Sequence, residues 1–179
     1  MKLTAKELNK IIKEELYEVV GGDHKHLALK KRVDENIHMI ISGIALNVGE
    51  RMSKVINDSH GGYLDKWGDG KQSGLDQLEA DKPYAKQFFL AYAPEVANKL
   101  GLYQDSGNDL DAQDAVEDAV RNHPKWVEYD RIDKMFDFTM SVIRDFDPDN
   151  VKMHRYAAGG GNSFLQALSL YESMGGMFI

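Results

Sequence analysis

The sequence predicts an all-α protein, an irregular helical bundle around one long central helix. Three observations carry that prediction. Leu29, Val33, Ile37, Ile40, Ile41, Ile44, Val48, Met52 and Val55 recur every three or four positions, as residues do along one face of a helix. No stretch shows the sustained apolar–polar alternation of a half-buried strand. Finally, the segments "DSHGGYLDKWGDGKQSG", "YQDSGND" and "DPDN" are rich in Gly, Asp and Pro, and they cut the chain into helix-length pieces.

The first element opens at Thr4, three residues before Glu7. In that capping-box spacing the hydroxyl serves one orphan amide and the carboxylate another. Leu8, Ile11, Ile12, Leu16 and Val19 then form an apolar stripe beside a Lys/Glu face. Gly21-Gly22 is expected to stop this helix, because glycine accepts the left-handed conformation of many helix C-termini. The central helix follows, from about His26 to Asn57. Gly43 and Gly49 either bend it or let a neighbour pack close. Beyond a loop at 58–74 the expected helices are 75–80, 84–92, 95–100 and 111–121. One long helix over 125–146 comes next, then short ones over 151–158 and 163–174, the last capped by Ser163. The organisation is thus an N-terminal amphipathic helix (1–22), a helical body (23–158) and an apolar C-terminal segment (159–179) hinged at its glycines.

Composition narrows the function. The 179 residues contain no cysteine, which excludes disulfides and thiolate ligands and fits a cytosolic setting. No apolar run approaches the ~20 residues of a membrane helix. The net charge of −7 is uneven: residues 61–150 carry 10 basic against 19 acidic side chains, while both flanking segments are near neutral. An acidic middle repels phosphate backbones, so nucleic acid is disfavoured as a partner. A basic protein regulated by this surface is a third reading.

The candidate metal site is "DKWGDGKQSGLD". Asp65, Asp69, Gly70, Ser73 and Asp76 occupy the first, fifth, sixth, ninth and twelfth positions of a calcium-loop pattern, where oxygen donors surround a hard cation. Trp67 offers no oxygen at the third position, so a glycine-rich surface loop is the plainer reading. "DFDPDN" has the same opening in Asp145, Asp147 and Asp149, and an Asx turn explains it more simply. His24 and His26 could share a divalent cation on an extended segment, but on a helix residues two apart diverge. His38, in the apolar helix, reads as a satisfied core or interface histidine. A divalent-metal-binding or small metal-dependent enzymatic helical domain, using Asp65, Asp69 and Asp76 or the His24/His26 pair, is the alternative reading, and no other cofactor is expected.

"HRYAAGGGNSFLQALSLYESMGGMFI" poses a sharper choice. Arg155, Gly160, Gly161 and Ser163 resemble an anion cradle at a helix start, yet the lysine of a P-loop and the preceding strand are both missing. Phe164, Leu168, Tyr171, Met177, Phe178 and Ile179 make the rest too apolar to leave in water, so it should pack on the body or on another chain. No nucleophile motif appears.

The opening "MKLTAKELNKIIKEELYEVV" resembles the N-terminal helices, K-(L/I)-T-x-x-x-L-x-x-I-I-x-E-E in pattern, of many proteins from large tailed bacteriophages and marine bacteria. It is also similar to capsid-targeting leaders of phage head proteins, which are cut after Leu/Ile-x-Glu; Ile12-Lys13-Glu14 and Leu16-Tyr17-Glu18 fit. That resemblance implies a virion or assembly context and assigns no catalytic residue. The expectation is a non-enzymatic protein acting through protein partners or self-association, with Leu8, Ile11, Ile12, Leu16 and the C-terminal apolar residues as its contacts.

Overall fold

Helix α1 (Ala5–His60) is 56 residues long, about 84 Å at 1.5 Å per residue. The computed structural model describes the backbone of residues 5–60, 70–145 and 152–176, and the side chains of 24–59, 74–145 and 152–176. All elements among them are helical: α2 (Gly70–Leu90), α3 (Ala93–Lys99), α4 (Leu110–Arg121), α5 (Pro124–Val127), α6 (Arg131–Arg144), α7 (Lys152–Ala157) and α8 (Gly161–Ser173). No described helix is long and apolar enough to cross a membrane.

The second half of α1 is the axle of the bundle. Leu29, Val33, Ile37, Ile40, Ile41, Ile44, Val48, Met52 and Ile56 are all buried, and α3, α4, α6 and α8 pack around them. A helix surrounded this way needs an apolar surface wider than one stripe, which explains the double occupancy at Ile40-Ile41 and Ile44-Ala45. Gly43 and Gly49 serve close packing. A Cβ on Gly43 would stand 2.5 Å from Val96 Cγ1 of α3, and one on Gly49 would stand 3.1 Å from the Gly161 carbonyl oxygen of α8.

Four boundaries differ from expectation. The helix continues through Gly21-Gly22, although two glycines cost about 2 kcal/mol against alanine. Helix α2 begins at Gly70, inside the loop expected at 58–74, and runs on through Pro83 to join the two pieces expected on either side of it. The exposed ring forfeits one backbone bond, while Leu75, Leu78, Ala85 and Phe89 hold the helix against the core. The long helix expected over 125–146 is broken at 128–130 without any glycine or proline. There Lys86 of α2 donates to the Val127 carbonyl at 2.6 Å, Trp126 is buried, and its ring stacks on Tyr129. A cation on the last carbonyls of α5 is well placed against the helix dipole. Burial holds the Lys86 ammonium below its usual pKa, and Asp133 and Asp130 partly oppose that. The fourth boundary is the start of α8, treated below.

The turn after α3 is fastened by Arg32 of α1. Its guanidinium donates to the carbonyls of Leu102 and Gln104 and to Ser106 Oγ, each at 2.9 Å. Asp105 in this turn has φ +61°, a conformation asparagine and aspartate tolerate better than most residues. Tyr103 donates to the Pro94 carbonyl, and burial pushes its phenol up to about 12.

Candidate interaction site

Three polar side chains on one ridge of α1 receive the chain as it enters α8. Glu50, Ser53 and Asn57 are spaced three and four residues apart, so they follow one another along the helix surface. Asn57 Nδ2 donates to the Ala158 carbonyl at 2.8 Å. The Gly160 amide donates to Ser53 Oγ at 2.8 Å, and the Gly161 amide donates to Glu50 Oε2 at 2.6 Å. Gly160 adopts φ +100°, a region open to glycine and strained for other residues.

This geometry resolves the glycine run. One amide of the run, that of Gly161, meets a carboxylate, and it is the chain's own Glu50 at the positive end of the α8 dipole; the Gly160 amide meets the Ser53 hydroxyl. Arg155 is exposed on α7 and is not among the groups that meet these amides. Ser163 is not the cap: it is half-buried in the first turn, and Gly160 holds the cap position. Glu50 and Ser53 take over the cap's task from a neighbouring helix. In place of a hinge, the glycines form a tie. Glu50→Ala should therefore cost about 1–2 kcal/mol, from loss of a charge-assisted bond to an orphan amide. Glu50→Gln, which keeps an acceptor, should cost less. Denaturant midpoints compare the two, and equal losses would contradict the hydrogen-bond account.

The remaining predicted residues fall in different places. Phe164 and Leu168 are buried core residues of α8. Tyr171 is half-buried with its ring 5.1 Å from that of Phe138 on α6. Of the two destinations open to this segment, α8 takes its own body. Met177, Phe178 and Ile179 lie outside the described residues, as do the side chains of Leu8, Ile11, Ile12 and Leu16. Asp65 and Asp69 also lie outside them, while Asp76 is exposed on α2. His24 and His26 sit on α1, both exposed, and a continuous helix turns them apart. Among the described residues, no three His, Asp or Glu side chains are grouped as metal ligands would be. His38 is exposed rather than interior, and its Nε2 meets the Lys125 amine.

Three further surface features stand out. Tyr84 and Phe88, one turn apart on α2, are largely exposed, and the Arg51 guanidinium of α1 lies 5.4 Å from the Phe88 ring and 5.6 Å from that of Tyr92. Leu27 is 61% exposed beside a groove of about 400 Å³ between α1 and α4, floored by Ala115 and Ala119. A polar cleft of about 310 Å³ between α3 and α4 holds Glu95, Asp114 and Glu117. Two of these are engaged by cations one turn on, Glu95 with Lys99 and Glu117 with Arg121. The 3–4 spacing of Glu50, Ser53 and Asn57 was visible in the sequence, but their partners stand about a hundred residues away.

His154 gives the molecule a pH dependence. Burial lowers its pKa below 6.5, against a hydrogen bond with the Ile56 backbone that raises it. Between that lowered value and 6.5 the unfolded chain holds the proton and the folded chain does not. Stability should then fall as pH drops through this window and level off below it. Urea midpoints between about pH 7.5 and 5.5 should show the slope in the native protein and a flatter one in His154→Gln.

No family model matches this chain, and no curated protein or solved structure matches it.

Proposed function

We propose that this protein works without chemistry of its own, through helix-mediated contacts in a protein assembly. One observation carries the reading. Helix α1 is 56 residues long; among its described side chains the core residues run from Leu29 to Ile56, and His24 to Ala28 ahead of them are all exposed. A helical segment set off from the core by such an exposed stretch draws little stability from its own residues and gains it from contacts. An amphipathic sequence there is suited to a partner. The exposed Tyr84, Phe88 and Leu27 add apolar contact area of the kind interfaces use. The likeness of residues 1–20 to phage leader helices supports a virion, or the path of its assembly, as the setting.

Light scattering of the pure full chain, set beside affinity capture from extracts of its source, tests this. A defined oligomer or a stoichiometric protein partner is the expected result. A strict monomer that captures nothing would overturn it.

A further inference from the structure

Residues 5–23 of α1 have a sequence pattern that selects its own reverse. Its backbone is helical from Ala5. On that helix four of the five stripe residues, Leu8, Ile11, Leu16 and Val19, are placed symmetrically about the midpoint between Lys13 and Glu14, with Ile12 beside Ile11. Continuing the stripe toward the body at helical spacing meets Gly22, Asp23 and His26, none of them with an apolar side chain. The apolar register of residues 8–19 is therefore interrupted before the core face begins at Leu29.

The charges share the same midpoint. Before it stand Lys2, Lys6, Lys10 and Lys13 with one carboxylate, Glu7. After it, as far as Asp23, stand Glu14, Glu15, Glu18 and Asp23 with no lysine or arginine. Two parallel copies would set lysine beside lysine and glutamate beside glutamate. Two antiparallel copies would set the basic half of each along the acidic half of the other, which lowers the energy and fixes the orientation.

We infer that residues 5–23 of α1 pair antiparallel with the same segment of a second copy of this chain, centred between Lys13 and Glu14. In that register Leu8 stands level with Val19 of the second copy and Ile11 with Leu16, while Lys13 meets Glu14. Leu29 lies about 23 Å from the centre along the axis, so the two bodies sit at opposite ends of the pair. This inference rests on the reading of the protein as one that acts by helix contact, and it names the partner.

The test uses the full chain. Sedimentation velocity should show a concentration-dependent dimer that weakens as salt rises. Ile11→Asp with Leu16→Asp should raise the dimer Kd at least about 100-fold, with the thermal melt of the body retained as proof of folding. Since the chain has no cysteine, orientation can be read directly. A mixture of Leu8→Cys and Val19→Cys chains should form the mixed disulfide on oxidation, in large excess over either symmetric one. Lys10→Glu with Lys13→Glu, and Glu14→Lys with Glu18→Lys, should each weaken self-association, and mixing the two proteins should restore a 1:1 dimer. A monomer at every concentration overturns the inference, and so does a Leu8→Cys chain that crosslinks to itself. If that monomer still captures another protein the broader reading stands; if it captures none, both fail.

Discussion

Replacing Gly161 by alanine should lower stability by about 2–4 kcal/mol, and the melting temperature by roughly 4–15 °C for a chain of this size. The new Cβ would stand 2.8 Å from the Leu46 carbonyl oxygen, 3.0 Å from Leu46 Cδ1 and 3.1 Å from Glu50 Oε2. The nearest of these is backbone in the middle of α1, which cannot step aside without disturbing the core helix. Relief would have to come from α8 moving away, which would stretch the bond from the Gly161 amide to Glu50 and loosen Phe164 beside Gly49. Gly74→Ala is the matched control: it is also in a helix, and a Cβ there meets nothing within 4 Å. That variant should be neutral or gain up to about 1 kcal/mol from helix propensity. Thermal melts that put both variants within a degree of the native protein would show that α1 and α8 do not meet at this contact.

Truncating Phe138 or Phe164 to alanine should cost about 3–5 kcal/mol each. Both rings are fully buried, and they meet edge-to-face with centroids 5.3 Å apart and planes at 67°. Phe138 also touches the ring of Tyr171, so one side chain of α6 grips α8 at two places a couple of turns apart. Because the two phenylalanines touch, their losses should not add, and a double-mutant cycle should return a coupling of about 0.5–1.5 kcal/mol. Denaturant unfolding measures all four corners. Single losses below about 1 kcal/mol would mean that α8 is not part of the core.

Much of the architecture was legible because helices announce themselves locally. The residues from Leu29 to Met52 were expected inside and are inside. On α6, Ile132, Met135, Phe136, Thr139, Val142 and Ile143 are buried at the three-to-four spacing of a single stripe, and Phe138 and Met140 are buried outside it. Phe138 meets Phe164 and Tyr171 of α8, and since α6 is packed by α2, α1 and α8, a single stripe cannot describe it. The break at 128–130 was illegible for a related reason. What ends α5 is Lys86, forty-one residues earlier in the chain, and local propensity carries no trace of it. Local signals also overruled themselves at Gly21-Gly22 and Pro83, where the helix continues. Of the candidate site, the glycine run was correctly seen as special. Its role turned on Glu50 and Ser53, whose approach only the tertiary structure brings about.

The tie between Glu50 and Gly161 spans 111 residues of chain. At a synthesis rate of about 5–20 residues per second, Glu50 is made roughly 5–20 s before the amide it will hold. Throughout that interval the face of α1 that α8 covers, around Leu46 and Gly49, has no cover from it. A nascent chain stopped short of residue 161 carries that face without its lid. The vulnerable period of this protein is thus its own translation, and a stalled ribosome should yield aggregating fragments where the completed chain folds.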